Sequence, residues 1–310
     1  MTLTQLSVFV LVARLGSVKA AARTLDVSEP AVSQALSALR QHLGDPLVTR
    51  GPSGMTLTPG GTRLLGIASQ MVALGAEAEA TVRAAQGAPE PLRIVASSTI
   101  AEFVSGPLID AFVTRSARKV DGSAGVAATD EMAVLVANRL SDLALGPPLR
   151  TDPSLVSEPV LRTKLIVVGS GRRPLRSDVI WLVDPAGTDD ESDTGRLLKR
   201  LRVPDSRIRV FPNQTAAWTA AADGAGVAPA FAHLVAPQLR RGDLVVVTTP
   251  VTPVAGAWYA TTLTSERRSA TAGAFRRFLG TPEAMHLMQS AGTGSPPSRF
   301  RPPVYVTIWS

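Results

Sequence analysis

The stretch from Gly16 to Gly61 constrains the fold of this chain more than any other. Apolar residues recur in it at helical spacing, namely Val32, Leu36, Leu39 and Leu43. One face of the segment 29–43 must therefore pack inward. Ser28 stands where an N-cap is expected, and Pro30 suits the first turn that follows. The sequence predicts a helix over 29–43 with a buried stripe and a polar outer face.

A shorter helix is predicted upstream. Ser17 is placed as its N-cap, and the small residues 20–22 would let two helices approach closely. Leu25-Asp26-Val27 supplies the short connection that a helix-turn-helix requires. The outer face of the helix over 29–43 carries small or polar side chains: Pro30, Ser33, Gln34, Ser37 and Arg40. Such a helix fits a DNA major groove and offers hydroxyl and amide groups to phosphates and base edges.

A longer pattern runs from Leu6 to Pro59, in order and without a gap, and includes this stretch. Its members are Leu6, Phe9, Val12, Gly16-Ser17, Ala21-Ala22, Leu25, Val27-Ser28, Pro30-Ala31-Val32-Ser33, Leu39, Leu43-Gly44, Pro46-Leu47, Arg50 and Leu57-Thr58-Pro59. This pattern resembles the N-terminal winged helix-turn-helix domain of LysR-type transcriptional regulators. The family usually has Gln at the position of Glu29, Glu at that of Arg40 and Phe at that of Val48. Glu29 affects function most, because phosphates repel an acid unless it accepts from a cytosine amino group or serves as a helix N-terminal charge.

The resemblance implies double-stranded promoter DNA as a partner, with contacts from Ser17, Ser28, Glu29, Pro30, Ser33, Gln34, Ser37, Arg50 and Thr58. Ser33, Gln34 and Ser37 are expected at base edges or phosphates, and Pro30 against a thymine methyl group. Arg50 and Thr58 are expected on phosphates at the wing. Residues 1–65 carry six basic and three acidic side chains, within a chain of pI about 10.6. A net charge of +3 predicts weak binding by one such domain, so pairing of two domains matters.

The segment 62–87 predicts a linker helix. Its apolar residues are spaced by three and four, as in a coiled-coil seam: Leu64, Ile67, Met71, Leu74 and Ala78. An ordinary amphipathic helix packed on its own domain is the alternative. The position of the segment between the DNA-binding domain and the prolines Pro89 and Pro91 favours dimerisation, and the resemblance implies a homodimer or homotetramer.

Beyond Pro91, short apolar runs alternate with helical stretches, which predicts an α/β unit with a largely parallel sheet. The order of elements resembles the two-lobed, periplasmic-binding-protein-like (type 2) effector domain of the same family, with Arg173-Pro174-Leu175 and Gly224–Pro229 among the matches. The predicted domains are residues 1–61, 62–87 and 91–290, with a C-terminal extension over 291–310. Within 91–290, lobe one is expected at about 91–162 and 251–290, and lobe two at about 163–250.

Polar residues at the ends of predicted strands mark a candidate effector site between the lobes: Ser98, Thr99, Thr129, Asn213, Gln214, Thr215 and Phe231. Hydroxyls, amides and one aromatic ring suit a small polar or weakly anionic molecule. Each residue also has a purely structural explanation. Ser98, Thr129 and Thr215 could be helix N-caps, and Phe231 could fill a core.

Catalytic and metal sites are not expected. The chain has no cysteine and three histidines, and the acidic run 189–193 lacks the glycine and the terminal glutamate of a calcium-binding loop. No cofactor is predicted, and an enzyme is disfavoured. The first residues lack a secretory signal, and no apolar run of about 18 residues predicts a membrane span. A cytoplasmic protein is therefore expected.

The expected function is that of a LysR-type regulator whose promoter binding responds to a small-molecule effector. RNA polymerase would be a further partner if the protein activates transcription. The alternative is a constitutive, ligand-independent DNA-binding repressor or architectural protein. The alternating segment 304–309 predicts a strand that pairs either with its own sheet edge or with a partner subunit.

Overall fold

A computed structural model describes residues 1–51, 54–116, 119–149, 152–171, 179–290 and 300. The N-terminal elements are α1 (Leu3–Leu15), α2 (Val18–Leu25), α3 (Glu29–Leu43), β1 (Val48–Gly51) and β2 (Gly54–Leu57). Strands β1 and β2 pair antiparallel and form the wing. Both predicted N-caps are confirmed, because the hydroxyls of Ser17 and Ser28 accept from the amides of Ala20 and Ala31.

The predicted apolar stripe of α3 is confirmed except at its end. Val32, Leu36 and Leu39 are buried, whereas Leu43 is 40% exposed. Leu43 is the last residue of the helix, and Gly44 turns the chain away with a φ of 67°. Arg40 does not stand free on the outer face, because it is half-buried and its guanidinium donates to the carbonyl of Val48 at 3.0 Å. Arg40 therefore joins α3 to the wing.

The linker helix α4 (Pro59–Ala85) packs against α1. Its buried residues Ala68, Val72 and Ala73 lie on one face, while Ile67 and Leu74 of the predicted seam are 58% and 63% exposed. The helix is therefore packed on its own domain along one face and presents much of the predicted seam on another.

The C-terminal part alternates strands and helices. Its elements are β3 (Glu90–Ala96), α5 (Ser98–Ile100), a π-helical turn (Ala101–Ser105), α6 (Gly106–Arg115), β4 (Val120–Val126), α7 (Thr129–Ala137), β5 (Leu143–Gly146), β6 (Leu155–Gly169), β7 (Trp181–Val183), a 3₁₀ turn (Pro185–Thr188), α8 (Asp193–Arg200), a 3₁₀ turn (Asp205–Arg207), β8 (Ile208–Val210), α9 (Gln214–Ala222), β9 (Ala228–Phe231), α10 (Ala236–Arg241), β10 (Val245–Val246), β11 (Val254–Leu263), α11 (Ala270–Leu279) and α12 (Pro282–Gln289).

These elements form two lobes. The first holds β3, β4 and β5 with α5, α6 and α7, and the second holds β7, β8 and β9 with α8, α9 and α10. The long strand β6 passes between them, since it pairs with β11 in its first part and with β9 and β10 in its last residues. The expectation of a largely parallel sheet is wrong. Strand β3 pairs parallel with β4 and β5, but β11 pairs antiparallel with β5 and β6.

The N-terminal unit is docked on the first lobe. Every residue from Leu6 to Val12 is buried, because α3 and α4 cover α1 and α7 also packs against it. One apolar cluster includes Phe9 and Leu11 of α1 together with Met132 and Val136 of α7. The DNA-binding unit and the effector domain therefore share packed apolar surface.

An ion pair adds to this junction. The guanidinium of Arg139, just after α7, lies 2.7 Å from the carboxylate of Glu77 on α4. The boundaries of the predicted domains, 1–61, 62–87 and 91–290, stay predictions.

Two predicted segments fall outside the described residues. They are the Arg173-Pro174-Leu175 match and the strand expected at 304–309. Phe300 is the one residue of the C-terminal extension that belongs to the described part of the chain. It is buried, and its amide donates to the carbonyl of Val126, the last residue of β4, at 2.9 Å.

Candidate DNA-binding surface and effector cleft

The outer face of α3 forms a polar surface, here called the DNA-contact surface: Glu29, Pro30, Ser33, Gln34 and Ser37, all exposed. The connection before it is tight, since Asp26 takes a left-handed conformation at φ 57° and the amide of Val27 donates to the carbonyl of Ala22 at 3.1 Å. This turn fixes α3 against α2 and leaves the polar face of α3 exposed. A helix held in this way can enter a major groove.

The wing residues have different surroundings. Arg50 is exposed on β1. The hydroxyl of Thr58 donates to Asp45 Oδ1 at 2.8 Å and accepts from the amide of Gly61 at 2.9 Å. Thr58 thus caps α4 and joins it to the turn before the wing. The amide of Leu47 and the hydroxyl of Thr58 both donate to Asp45 and lower its pKa.

The predicted effector residues lie at the starts of helices that follow strands. Ser98 begins α5 after β3, Thr129 begins α7 after β4, and Asn213 precedes α9 after β8. Asn213 caps α9, because its Oδ1 accepts from the amide of Ala216 at 2.9 Å. The carboxyl ends of such strands are where α/β domains place their ligands.

The N-cap explanation is wrong for the three hydroxyl residues. The N-caps are Ser97 for α5, Ala128 for α7 and Asn213 for α9. Ser98, Thr129 and Thr215 each lie inside the first turn of the helix, and their hydroxyls face other partners.

Those partners are three carboxylates, here called the interlobe carboxylates: Glu102, Asp184 and Asp189. Asp184 of the second lobe accepts from the hydroxyl of Ser98 in the first. Asp189 of the second lobe accepts from the hydroxyl and the amide of Thr129, at 2.9 and 3.0 Å. In the opposite direction, Glu102 of the first lobe accepts from α9.

Glu102 accepts three hydrogen bonds from α9 across the cleft. Its two oxygens accept from the amides of Gln214 and Thr215, at 2.8 and 3.0 Å, and from the hydroxyl of Thr215 at 2.5 Å. The neighbouring ring of Phe103 stacks on Trp218 of α9 with ring centroids 5.2 Å apart. A π-helical turn carries both Glu102 and Phe103 toward the second lobe.

Two of the interlobe carboxylates are deeply buried. Glu102 is 4% exposed and Asp184 is fully buried. Burial raises the pKa of Asp184 to about 6. The hydrogen bond from Ser98 and the backbone amides of Asp184 and Gly187 oppose this rise, and the negative charge of Glu102 adds to it. The Oδ1 atom of Asp184 has no hydrogen-bond partner among the described residues.

The remaining predicted residues contribute less to the cleft. Phe231 packs edge-on against Trp258, with centroids 5.2 Å apart, and belongs to the hydrophobic core. Thr99 is buried beside Ser98 in α5. The side-chain amide of Gln214 donates to the carbonyl of Pro229 at 3.1 Å.

Sequence reasoning missed all three interlobe carboxylates. Asp184 directly follows the buried strand β7, a position that could have identified it. Asp189 belongs to the acidic run 189–193, in which Asp190 is exposed to solvent whereas Asp189 is half-buried against Thr129. Glu102 gave no signal beyond an acid within an apolar helical stretch.

Among the described ranges, no group of three or more acidic, histidine or cysteine side chains is arranged to hold a metal. No helix of the described part has both the length and the hydropathy of a membrane span.

A winged helix-turn-helix, joined by one helix to a two-lobed α/β domain with polar residues between the lobes, is the architecture of a DNA-binding regulator with an effector-binding domain. Residues 3–62 match the family model for the bacterial regulatory helix-turn-helix protein of the lysR family, and residues 85–281 match the LysR substrate binding domain. The chain belongs to the LysR family of transcriptional regulators, and the predicted family and fold class are confirmed.

Full-length relatives agree. An uncharacterized HTH-type transcriptional regulator of Mycobacterium tuberculosis is 33% identical over the whole of both chains. CfxR of Cupriavidus necator is 27% identical and covers 90% of this chain and 91% of its own. The relatives are named as regulators and not as enzymes.

Solved structures share the fold. ArgP from Mycobacterium tuberculosis has a TM-score of 0.55 at 22% identity, over 90% of this chain and 96% of that one. Full-length LysG from Corynebacterium glutamicum, solved with bound effector Arg, has a TM-score of 0.52 at 18% identity, over 92% and 99% of the two chains.

Proposed function

We propose that this regulator binds promoter DNA as a homo-oligomer and that a small molecule entering between the two lobes changes that binding. The observation that carries the proposal is the set of hydrogen bonds from the interlobe carboxylates to the helix starts of the opposite lobe. A ligand that enters must break or replace these contacts. The relative position of the lobes would then depend on the ligand, as a population shift requires.

A structural change in the cleft would reach the DNA-binding unit through the contact between the two domains. Helix α7 begins at Thr129 in the cleft and packs at the same time against α1 of the DNA-binding unit. A shift at Thr129 would therefore reach α1 through one short helix. The ion pair between Arg139 and Glu77 links the same region to the linker helix.

On DNA, Ser33, Gln34 and Ser37 are proposed at base edges or phosphates, with Pro30 against a thymine methyl group. Their exposure on α3 supports this assignment. Arg50 is proposed on a phosphate, and its exposure on the wing supports it. Ser17 and Ser28 accept from helix amides through their hydroxyl oxygens, so each hydroxyl hydrogen is left to donate to a phosphate. The hydroxyl of Thr58 donates to Asp45 and its amide to the carbonyl of Leu47, so its proposed phosphate contact would replace one of these two hydrogen bonds. Glu29, at the first turn of α3, also interacts favourably with the helix dipole.

The proposed dimer forms through α4. Ile67, Met71 and Leu74 are exposed apolar residues at spacings of four and three on a helix whose other face is covered by α1. A second copy of the same helix would remove them from water. Association of two such dimers would give the homotetramer that the resemblance to LysR-type regulators implies.

The action is proposed to take place in the cytoplasm, where promoter DNA lies. RNA polymerase would be a partner if the protein activates transcription. A constitutive repressor is the second candidate, because the interlobe hydrogen bonds already join the lobes without a ligand. A cleft that never opens would leave DNA binding independent of metabolites.

Binding of the purified full-length protein to fragmented genomic DNA, with and without a metabolite extract, tests these functions. Discrete sites whose footprints change with extract support the ligand-responsive regulator. Discrete sites that do not change support the constitutive candidate, and absence of site selection contradicts both. The variant Gln34→Ala is the control for specific recognition, since it keeps every charge.

A further inference from the structure

We infer that the effector is a small organic cation whose ammonium or guanidinium group binds between Glu102 and Asp184. This inference rests on the proposed function and names the ligand class of the same cleft. It changes the expectation, drawn from sequence, of a polar or weakly anionic effector.

The first argument is that the natural anion sites of the cleft are already filled. Helix N-termini attract anions, and the first amides of α9 would bind a ligand carboxylate. In this structure Glu102 accepts from the amides of Gln214 and Thr215, and Asp189 accepts from the amide of Thr129. An anionic ligand would have to displace these carboxylates and would then lie beside them.

The second argument is the uncompensated charge. Glu102 and Asp184 are both buried, and within the described residues neither forms an ion pair with a lysine or arginine. Burying a carboxylate is unfavourable unless it is paired and fully hydrogen-bonded.

The Oδ1 atom of Asp184 satisfies neither condition, because it is buried and has no hydrogen-bond partner in the described part of the chain. In the described part of the chain, Oδ1 is therefore a buried acceptor that no donor reaches in hydrogen-bond geometry, and it lies close enough to Glu102 to feel its negative charge. An ammonium or guanidinium group supplies both the donor and the positive charge. A metal ion is a poorer occupant, since the described side chains provide no third acidic, histidine or cysteine ligand in range.

The test compares three four-carbon probes with cationic, neutral and anionic ends: putrescine, 1,4-butanediol and succinate. Agmatine adds a guanidinium. Titration calorimetry on the full-length protein is expected to show binding of putrescine or agmatine, and binding at least about tenfold weaker for the diol and for succinate. Succinate binding as tightly as putrescine, or no binding of either cation up to about 10 mM, overturns the inference.

Variants locate the site. Asp184→Asn and Glu102→Gln keep an oxygen that can accept from Ser98 and Thr215, and each is expected to weaken cation binding at least about tenfold. Asp190→Asn is the matched control, because it removes the same charge from an exposed side chain six residues away that pairs with Lys199. Equal loss in all three variants would mean a general charge effect and would contradict the site.

The two proposals fail differently. Cation binding that leaves the operator footprint unchanged would contradict the coupling to DNA while the site stands. A footprint that responds to metabolite extract equally in the wild type and in Asp184→Asn would support the regulator and contradict the cation site.

Discussion

Asp184 accepts a hydrogen bond from the hydroxyl of Ser98, and this contact joins the end of β7 in the second lobe to the start of α5 in the first. The two residues are 86 positions apart in the chain. The second oxygen of Asp184 is buried without a hydrogen-bond partner among the described residues. One side chain therefore both joins the lobes and carries the electrostatic cost of burial.

Stability is expected to depend on pH through Asp184. Its pKa rises from 3.8 in the unfolded chain to about 6 in the fold, so the folded state holds the proton more tightly. Stability contributed by this group is complete below pH 4 and is lost as pH rises to about 6, with a cost on the order of 3 kcal/mol above that. Asp184→Asn should therefore raise the melting temperature at pH 7.5.

The pH dependence distinguishes removal of the buried charge of Asp184 from a general gain in stability. The advantage of Asp184→Asn over the wild type should shrink as pH falls toward 4, where the wild-type carboxyl is protonated. Thermal unfolding at both pH values measures it. The exposed Asp190→Asn should give little change at either pH, and an advantage of equal size at pH 4 and 7.5 would contradict the assignment.

Local signals made the N-terminal unit predictable. Spacing of apolar residues located α3, and hydroxyl residues before helices located the caps at Ser17 and Ser28, because these contacts lie within one helical turn. Leu43 and Arg40 departed from the pattern for tertiary reasons. Periodicity shows which face is apolar, but not where the packed neighbour ends or which carbonyl a long side chain will meet.

The cleft was predictable only in part. Polar residues after strands identified one half of each interlobe contact, since strand ends and helix starts converge in this class of fold. The other half depends on pairs far apart in sequence: Glu102 lies 112 residues from Gln214. No local pattern distinguishes a carboxylate that will be buried from one that will be solvated. The prediction of a polar or weakly anionic effector rests on these donors alone and does not take the carboxylates that accept from them into account.

Gly61 should tolerate no side chain. A Cβ atom there would lie 2.0 Å from the carbonyl oxygen of Leu47, which is backbone and part of the turn before the wing. Leu47 is itself buried with a φ of 60°, so the turn has little freedom to move. Gly61→Ala is expected to destabilise the DNA-binding unit by about 3 kcal/mol or more.

Gly66 is the matched control, because it lies in the same helix and a Cβ there meets nothing within 4 Å. Gly66→Ala should stabilise the helix by up to about 1 kcal/mol. Urea denaturation of the two variants measures the difference. Similar effects of the same sign would show that the contact between α4 and Leu47 is looser than described.

A charge on the exposed seam of α4 should disrupt association. Leu74→Glu places a carboxylate where two copies of α4 are proposed to meet, so the oligomer should dissociate while the monomer stays folded. Sedimentation velocity measures the assembly state. Val210→Glu is the control, since Val210 is also an exposed apolar residue but lies on β8 in the second lobe. An unchanged oligomer in Leu74→Glu would place the interface elsewhere.

Arg50 and Gln34 are expected to contribute to DNA binding in different ways. Arg50 is an exposed cation on the wing, so Arg50→Ala should weaken binding to all sequences and reduce the slope of log affinity against log salt by about one. Gln34 is uncharged on α3, so Gln34→Ala should leave the slope intact and relax preference at one base position, by about 1–3 kcal/mol of discrimination. Fluorescence anisotropy with the operator and a scrambled duplex, over a range of salt concentrations, measures both quantities.

The control is Arg209→Ala, which removes an exposed arginine from the second lobe and should change neither the salt slope nor the base preference. A uniform loss of affinity in Gln34→Ala would contradict its role at a base edge, and an unchanged salt slope in Arg50→Ala would remove the wing from the phosphate contacts.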